Sequence, residues 1–208
     1  RVIKKDSDTK QTVLVPNAEF KIFNLDKNEY VTQYTTYPSK VKHTSFFTDE
    51  DGDLILPEAL KIGNYRIEEI KAPFGYVVND NYINISVDTD TAFETDGDTN
   101  DAIITVEYSD APAVGELAVE KKGEVLDGFK GGLFVNSEDK EFVYKEGSLA
   151  GAVFKMYAAE DIFTADNQKD ADGHRTKYYS KGDLVATLTT GKDGKATAKN
   201  LPLGQYRV

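Results

Sequence analysis

The stretch NYRIEEIKAPFGY, Asn64–Tyr76, decides the fold class and poses the functional question. Read at period two, Tyr65, Ile67 and Glu69 share one face while Arg66 and Glu68 share the other, the alternation of a half-buried strand. If Tyr65 and Ile67 face a core, a carboxylate is aimed into that same core. An unpartnered buried carboxylate is costly, so some group is expected to meet Glu69 there.

Outward from this strand, the chain repeats itself. VPNAEFKIFN (Val15–Asn24) returns as LAGAVFKMYA (Leu149–Ala158), with Ala18 and Phe20 matching Ala152 and Phe154. DEDGDLILPEALKIGNYRI (Asp49–Ile67) is echoed by GKDGKATAKNLPLGQYRV (Gly191–Val208), with Gly52, Gly63 and Tyr65 matching Gly194, Gly204 and Tyr206. RVIKKD at Arg1 is echoed by LAVEKKGE at Leu117–Glu124. Three echoes in one order predict two homologous domains, residues 1–112 and 113–208. The boundary is placed near YSDAPAVGEL, where Pro112 and Gly115 interrupt two alternating runs. The second copy carries an insertion, EVLDGFKGGLFVNSEDKEFVYKEG, and stops at Val208, where the first continues into EEIKAPFGY.

Each copy reads as short strands punctuated by turns: Asp51-Gly52, Gly63-Asn64, Pro73-Phe74-Gly75 and Asp193-Gly194. AGAVFKMYAAEDIF has helix-favouring Ala and Met, but its partner NAEFKIFNLD reads as a strand. A strand followed by one helical turn is expected there. The fold class is therefore all-β, with tandem antiparallel β-sandwiches.

Composition narrows the function. The 208 residues carry a net charge of −11, which argues against nucleic acid as a partner. There is no cysteine, which excludes disulfides, thiol catalysis and cysteine-bound metal. No apolar run is long enough for a membrane-spanning helix, so no membrane insertion is expected. RVIKKDSDT has neither an apolar h-region nor a cleavage site, so any export signal is expected outside this sequence.

Parity traces three inward faces that end on ionisable groups. Val2 leads to Lys4, Tyr65 and Ile67 lead to Glu69, and Ile104, Val106 and Tyr108 lead to Asp110. In the second copy Leu117 and Val119 lead to Lys121. Taken singly, each reads as a strand-end charge with its tip in water. Taken together, an amine and two carboxyls in an apolar pocket form a reactive triad: desolvation favours the neutral amine as nucleophile and the protonated carboxyl as electrophile, and the second carboxyl relays protons.

YRIEEIKAPFGY resembles the E-box of Cna-B/SpaA-type domains, Tyr-x-Leu-x-Glu-x-x-Ala-Pro-x-Gly-Tyr, with Ile67 in the Leu place. KKDSDT followed by VPNAEFKIF resembles the family's opening Lys-x-Asp and Gly-Ala-x-Phe strand, and VEYSDAP its closing strand. The resemblance extends over both repeats. It implies prealbumin-like sandwiches of Gram-positive surface adhesins and pilins, exported and anchored to cell-wall peptidoglycan through regions outside this sequence, with host matrix or glycan as partners. It further implies a spontaneous intramolecular isopeptide bond with Lys4 as nucleophile, Asp110 as electrophile and Glu69 as proton relay, a single-turnover step and not an enzyme activity. Asp110 departs from the commoner Asn, and Lys5 lies beside the reactive position. Lys121 is the corresponding lysine of the second copy, with Gly123 where the Asp of Lys-x-Asp is expected. Its partners are expected beyond Val208, beginning with a Glu two residues on.

Other constellations carry less. Asp96, Asp98, Asn100 and Glu107 loosely match a calcium loop, but Asp101 replaces the turn glycine, and Asp166–Gly173 is a similar acidic turn. No metal and no cofactor are expected. Tyr37-Pro38-Ser39-Lys40 approximates a Tyr-Pro-Lys pilin motif with an intruding serine, so Lys40 is set aside. His43 and His174 form no triad or metal pair by sequence. The leading reading is a structural or adhesive surface module. The alternative is a ligand-binding adhesin domain, using sheet faces, the insertion, or aromatics such as Tyr178 and Tyr179. A hydrolase has no catalytic set to support it.

Overall fold

The computed structural model describes residues 1–91, 93–95, 102–130 and 141–208. These form strands and turns, with no helix among the described residues. Two compact units emerge. One comprises Arg1–Ala113 together with Phe163–Thr176, the other Val114–Ile162 with Lys177–Val208.

In chain order the first repeat contains β1 (Val2–Asp6), β2 (Glu19–Asn24), β3 (Glu29–Tyr30), β4 (Gln33–Thr35), β5 (Val41–His43), β6 (Phe46–Phe47) and β7 (Asp53–Leu54). It continues through β8 (Gly63–Lys71), β9 (Tyr76–Val77), β10 (Tyr82–Val87), β11 (Glu94–Thr95), β12 (Ala102–Ile103) and β13 (Val106–Pro112). The second repeat begins with β14 (Val114–Glu120), β15 (Lys122–Lys130), β16 (Glu141–Ser148) and β17 (Val153–Ala158). It ends with β18 (Ile162–Phe163), β19 (Lys177–Tyr179), β20 (Leu184–Thr189), β21 (Lys195–Pro202) and β22 (Tyr206–Arg207).

The first unit is a sandwich. One sheet has the order β7-β1-β13-β9, and the other has β10-β8-β2-β3 with β6 also on β2. Val2, Leu54 and Tyr108 of the first sheet pack against Phe20, Ile22, Tyr65 and Ile67 of the second in one buried cluster. Pairing is antiparallel except between β1 and β13, which run parallel with Lys4 opposite Tyr108 and Asp6 opposite Asp110. The expected inward parity of β8 is seen directly, since Tyr65, Ile67 and Glu69 are buried. On its other face Arg66 grips Glu68 at 2.5 Å. Segment Phe163–Thr176 belongs to this unit through Asp166, whose carbonyl accepts the Leu14 N–H, and through the Gln168 side-chain amide, which donates to the Thr12 carbonyl.

The second unit repeats the first in register. Val2 faces Leu54 in β1–β7, and Val119 faces Ala196 in β14–β21, each two residues before the repeated lysine. Asn24 faces Tyr65 in β2–β8, as Ala158 faces Tyr206 in β17–β22. The tyrosines cap their own turns alike, Tyr65 Oη donating to the Lys61 carbonyl and Tyr206 Oη to the Pro202 carbonyl. Met156, Leu188, Ala198 and Leu201 form this unit's buried core. The described parts of the inserted stretch pair as an antiparallel two-stranded ribbon, β15–β16.

One local expectation is corrected. The helical turn expected after Ala158 is a bend leading into β18. The Ala159 N–H donates to the Gln205 carbonyl and the Asp161 carboxylate accepts the Lys181 N–H, so local groups that would close or cap a helical turn are spent on distant chain. Tertiary partners outweigh the alanine propensity.

The repeated glycines are steric necessities. Gly52 and Gly194 sit at φ of 76° and 73°, the left-handed region that costs other residues roughly 1–2 kcal/mol. Each ends a tight turn whose carbonyl binds the lysine N–H, Gly52 to Lys4 and Gly194 to Lys121. A Cβ at Gly194 would stand 2.6 Å from the Lys121 carbonyl oxygen, and one at Gly52 would collide with the Val13 carbonyl oxygen. Gly52→Ala is therefore expected to lower stability by about 2 kcal/mol or more, read as a reduced urea midpoint. A variant with the parent midpoint would contradict this account.

Candidate functional site

Three ionisable side chains meet inside the first sandwich. Lys4 leaves β1, Asp110 leaves the neighbouring β13 two register positions beyond Lys4's partner Tyr108, and Glu69 leaves β8 in the facing sheet. Lys4 Nζ lies 2.5 Å from Asp110 Oδ1 and 2.7 Å from Glu69 Oε1, and all three side chains are wholly inaccessible to solvent. Lys4, Glu69 and Asp110, each reached by counting alternate residues, are thus brought together.

The surroundings are apolar and aromatic. The amine lies 4.6 Å from the centre of the Tyr108 ring and 5.7 Å from that of Phe20, and these two rings meet edge to face at 5.1 Å. Phe20 is set there by register, since it faces Glu69 across β2–β8. Glu69 is oriented by its second oxygen, Oε2, which accepts the Asn79 N–H at 3.1 Å. Tyr108 Oη donates to the carbonyls of Asn79 and Asn81, and burial pushes its hydroxyl up to about 12.

The cluster is close without being satisfied. Lys4 Nζ, Glu69 Oε1 and both Asp110 carboxylate oxygens lack any aligned hydrogen bond among the described residues, although their N···O approaches are short. Burial pushes the Asp110 carboxyl up to about 7; Lys4 opposes the shift and Glu69 adds to it. Protonated Asp110 is thereby accessible near neutral pH. An amine, a carboxyl that holds its proton and a second carboxyl within reach are the components of amide condensation, with water excluded.

A third buried carboxylate, Asp6, stands opposite Asp110 in the β1–β13 register. Asp6 accepts the Asp8 and Thr9 N–H groups at Oδ1 and the Tyr76 hydroxyl at Oδ2, 2.7 Å away. It ties the end of β1 to the tyrosine that closes the opening stretch. Strand parity alone carries no sign of Asn79, whose contribution is a backbone donor from a loop. Tyr108 lay on a face already traced, whereas the place of Phe20 around the amine follows from its register opposite Glu69.

The remaining candidates go elsewhere. Lys5 points away from Lys4 and binds Thr12 Oγ1 at 3.2 Å and Glu107 at 3.5 Å. Lys121 keeps the backbone bonds of Lys4, but its side chain is exposed. Lys40 is exposed over the Tyr34 ring. His43 Nε2 meets Thr35 Oγ1 at 3.0 Å, and His174 Nδ1 stands 3.7 Å from Asp170. Tyr178 and Tyr179 are half-buried. Asp96, Asp98 and Asn100 lie outside the described residues. In the other acidic turn Asp166 is buried, accepting Thr164 and Thr9 hydroxyls, while the Asp170 carboxylate accepts the Asp172 and His174 N–H groups.

A family model described as the SpaA prealbumin-like fold domain matches residues 1–101 and 139–208. Among solved structures, the Bacillus anthracis TIE protein is 25% identical over 99% of this chain and 26% of its own, with a TM-score of 0.49. The group B streptococcus pilus 2b backbone protein is 24% identical over 53% of this chain and 39% of its own, with a TM-score of 0.40. A streptococcal ancillary pilin is 20% identical over 99% of this chain and 50% of its own, with a TM-score of 0.37. The chain thus spans from about a quarter to half the length of these three proteins. No curated protein matches it.

The raised Asp110 carboxyl fixes a pH dependence. The folded form holds this proton more tightly than the unfolded chain, so its contribution to stability is complete below the ordinary carboxyl range and is lost as pH rises to about 7. In a Lys4→Met protein, which lacks the opposing ammonium, stability is expected to rise as pH falls from 7 to 5. Adding Asp110→Asn should flatten that slope. Equal slopes in urea titrations of the two variants would refute the assignment.

Proposed function

The chain belongs to the SpaA family of prealbumin-like fold domains, and from that premise we propose that it is a structural module of a Gram-positive cell-surface pilin or adhesin, closed by an isopeptide bond between Lys4 and Asp110. The observation that carries this reading is the buried, hydrogen-bond-deficient contact of Lys4 Nζ with Asp110 and Glu69.

The step balances simply. Proton transfer from the Lys4 ammonium to the Asp110 carboxylate gives a neutral amine and a neutral acid. The Nζ lone pair attacks Asp110 Cγ, forming the C–N bond. Glu69 takes a proton from nitrogen and returns it to the departing hydroxyl, which leaves as water. An amide replaces the amine and one carboxyl, and Glu69 ends in its starting protonation state. The reaction occurs once per chain and turns over no external substrate.

Energetics favour closure. An ionic cluster of one ammonium and two carboxylates would hold three desolvated charges in an apolar core. Condensation removes one charge of each sign and leaves a neutral amide. The bond also closes a loop of about 100 residues, worth roughly 4–5 kcal/mol in the chain-entropy account of cross-links. In a chain without cysteine it supplies a link that reducing agents do not cleave. For a surface module under tension, a covalent tie between the first and last strands of a sandwich suits the task.

Intact mass and peptide mapping test the proposal. The purified protein should be lighter than its sequence by one water, with the peptides bearing Lys4 and Asp110 joined. Glu69→Ala and Glu69→Gln should restore the full mass and lower the melting temperature. Full calculated mass for the unaltered protein would overturn the proposal.

A further inference from the structure

The insertion of the second repeat builds a surface that the cross-link does not explain. In the β15–β16 ribbon, residues directly opposite share a face: Glu124 with Glu146, Leu126 with Tyr144, and Phe129 with Phe142. A bulge between Leu126 and Gly128 absorbs Asp127, so all three pairs stay on the same side. Leu126, Phe129, Phe142 and Tyr144 are each more than half exposed. The opposite face of the ribbon carries Gly123, Val125, Gly128, Val143 and Gly147, all half-buried. The larger apolar side chains are therefore on the more open side.

We propose that this exposed face docks a protein partner whose contacting segment sets large apolar side chains beside a lysine or arginine. Contiguous exposed apolar surface on a soluble fold marks an interaction site. A ribbon with such a face that pairs with no third strand among the described residues gains stability when a second layer covers it. Charge selects the occupant. Glu124 and Glu146 stand directly opposite one another, an unfavourable like-charge pairing, and neither forms an ion pair among the described residues. A cation set between them relieves both.

Competing occupants fit less well. A second copy of this chain, at net charge −11, would bring further negative charge to the same place. A glycan would exchange hydrated hydroxyls for a face on which Tyr144 offers the one side-chain hydroxyl among the four large side chains. The bulge interrupts the β15 edge, which disfavours strand addition and leaves the face as the docking element.

The test uses the whole chain and three sets of synthetic twelve-residue peptides, measured by fluorescence anisotropy. One set alternates Leu or Phe with Lys or Arg, a second replaces the basic residues with Glu, and a third replaces the apolar residues with Ser. A panel of defined oligosaccharides and sedimentation of the chain alone accompany them. The apolar–basic set should bind about tenfold more tightly than the apolar–acidic set. Phe142→Ser with Tyr144→Ser should abolish that binding. Because these substitutions also remove cross-strand apolar pairs of the ribbon, Glu124→Lys with Glu146→Lys provides a second arm that leaves the apolar face whole and should reverse the preference toward the acidic set. Equal binding of basic and acidic sets, no binding of the basic set, saturable oligosaccharide binding, or self-association abolished by Phe142→Ser would each overturn the proposal. None of these outcomes depends on the Lys4–Asp110 bond.

Discussion

The contact of one lysine amine with two carboxyls, sealed between two sheets, is the constraint around which the first unit is organised. Lys4 and Asp110 come from adjacent strands of one sheet, and Glu69 comes from the other. Bringing them together requires the first and last strands of the repeat to pair side by side, and here they do so in parallel. It also requires the two sheets to close over the cluster, because any water reaching it would screen the charges and weaken the drive for the proposed condensation. Phe20 and Tyr108 provide that closure, and both are buried.

Around this centre the turns hold the strand ends. Gly52 supplies the carbonyl that receives the Lys4 N–H, and Lys4 returns its own carbonyl to Val13. The second repeat preserves the same arrangement at Gly194, Lys121 and Leu149. Backbone geometry around the lysine is thus duplicated even where the side chain is exposed. The conserved element between the repeats is the turn that positions the strand, and the carboxyl partners are a separate requirement met in the first unit.

Acidity serves different purposes at different depths. On the surface, the acidic excess behind a net charge of −11 is solvated and self-repelling. In the core, Asp6 and Asp166 are buried carboxylates satisfied by N–H and hydroxyl donors, which makes them structural. Asp110 is buried without such donors and is pushed up to about 7. The difference between a structural carboxylate and one suited to the proposed condensation lies in what surrounds it.

The amino-acid sequence by itself determined the strand class, the repeat and the three inward-pointing ionisable groups, because strand parity is a local property with a period of two. Tyr65, Ile67 and Glu69 had to share a face whatever the sheets did. The turns at Gly52 and Gly194 were equally legible, since only glycine tolerates their backbone without strain. Which faces meet was decided by tertiary structure. The parallel pairing of β1 with β13, the Asn79 N–H on Glu69, and the inclusion of Phe163–Thr176 in the first unit depend on contacts between residues far apart in the chain. The same is true of the bend after Ala158, where a hydrogen bond to Gln205 displaces the local helical preference. Such contacts have no period and leave no local pattern, so they become visible only when the strands are placed beside one another.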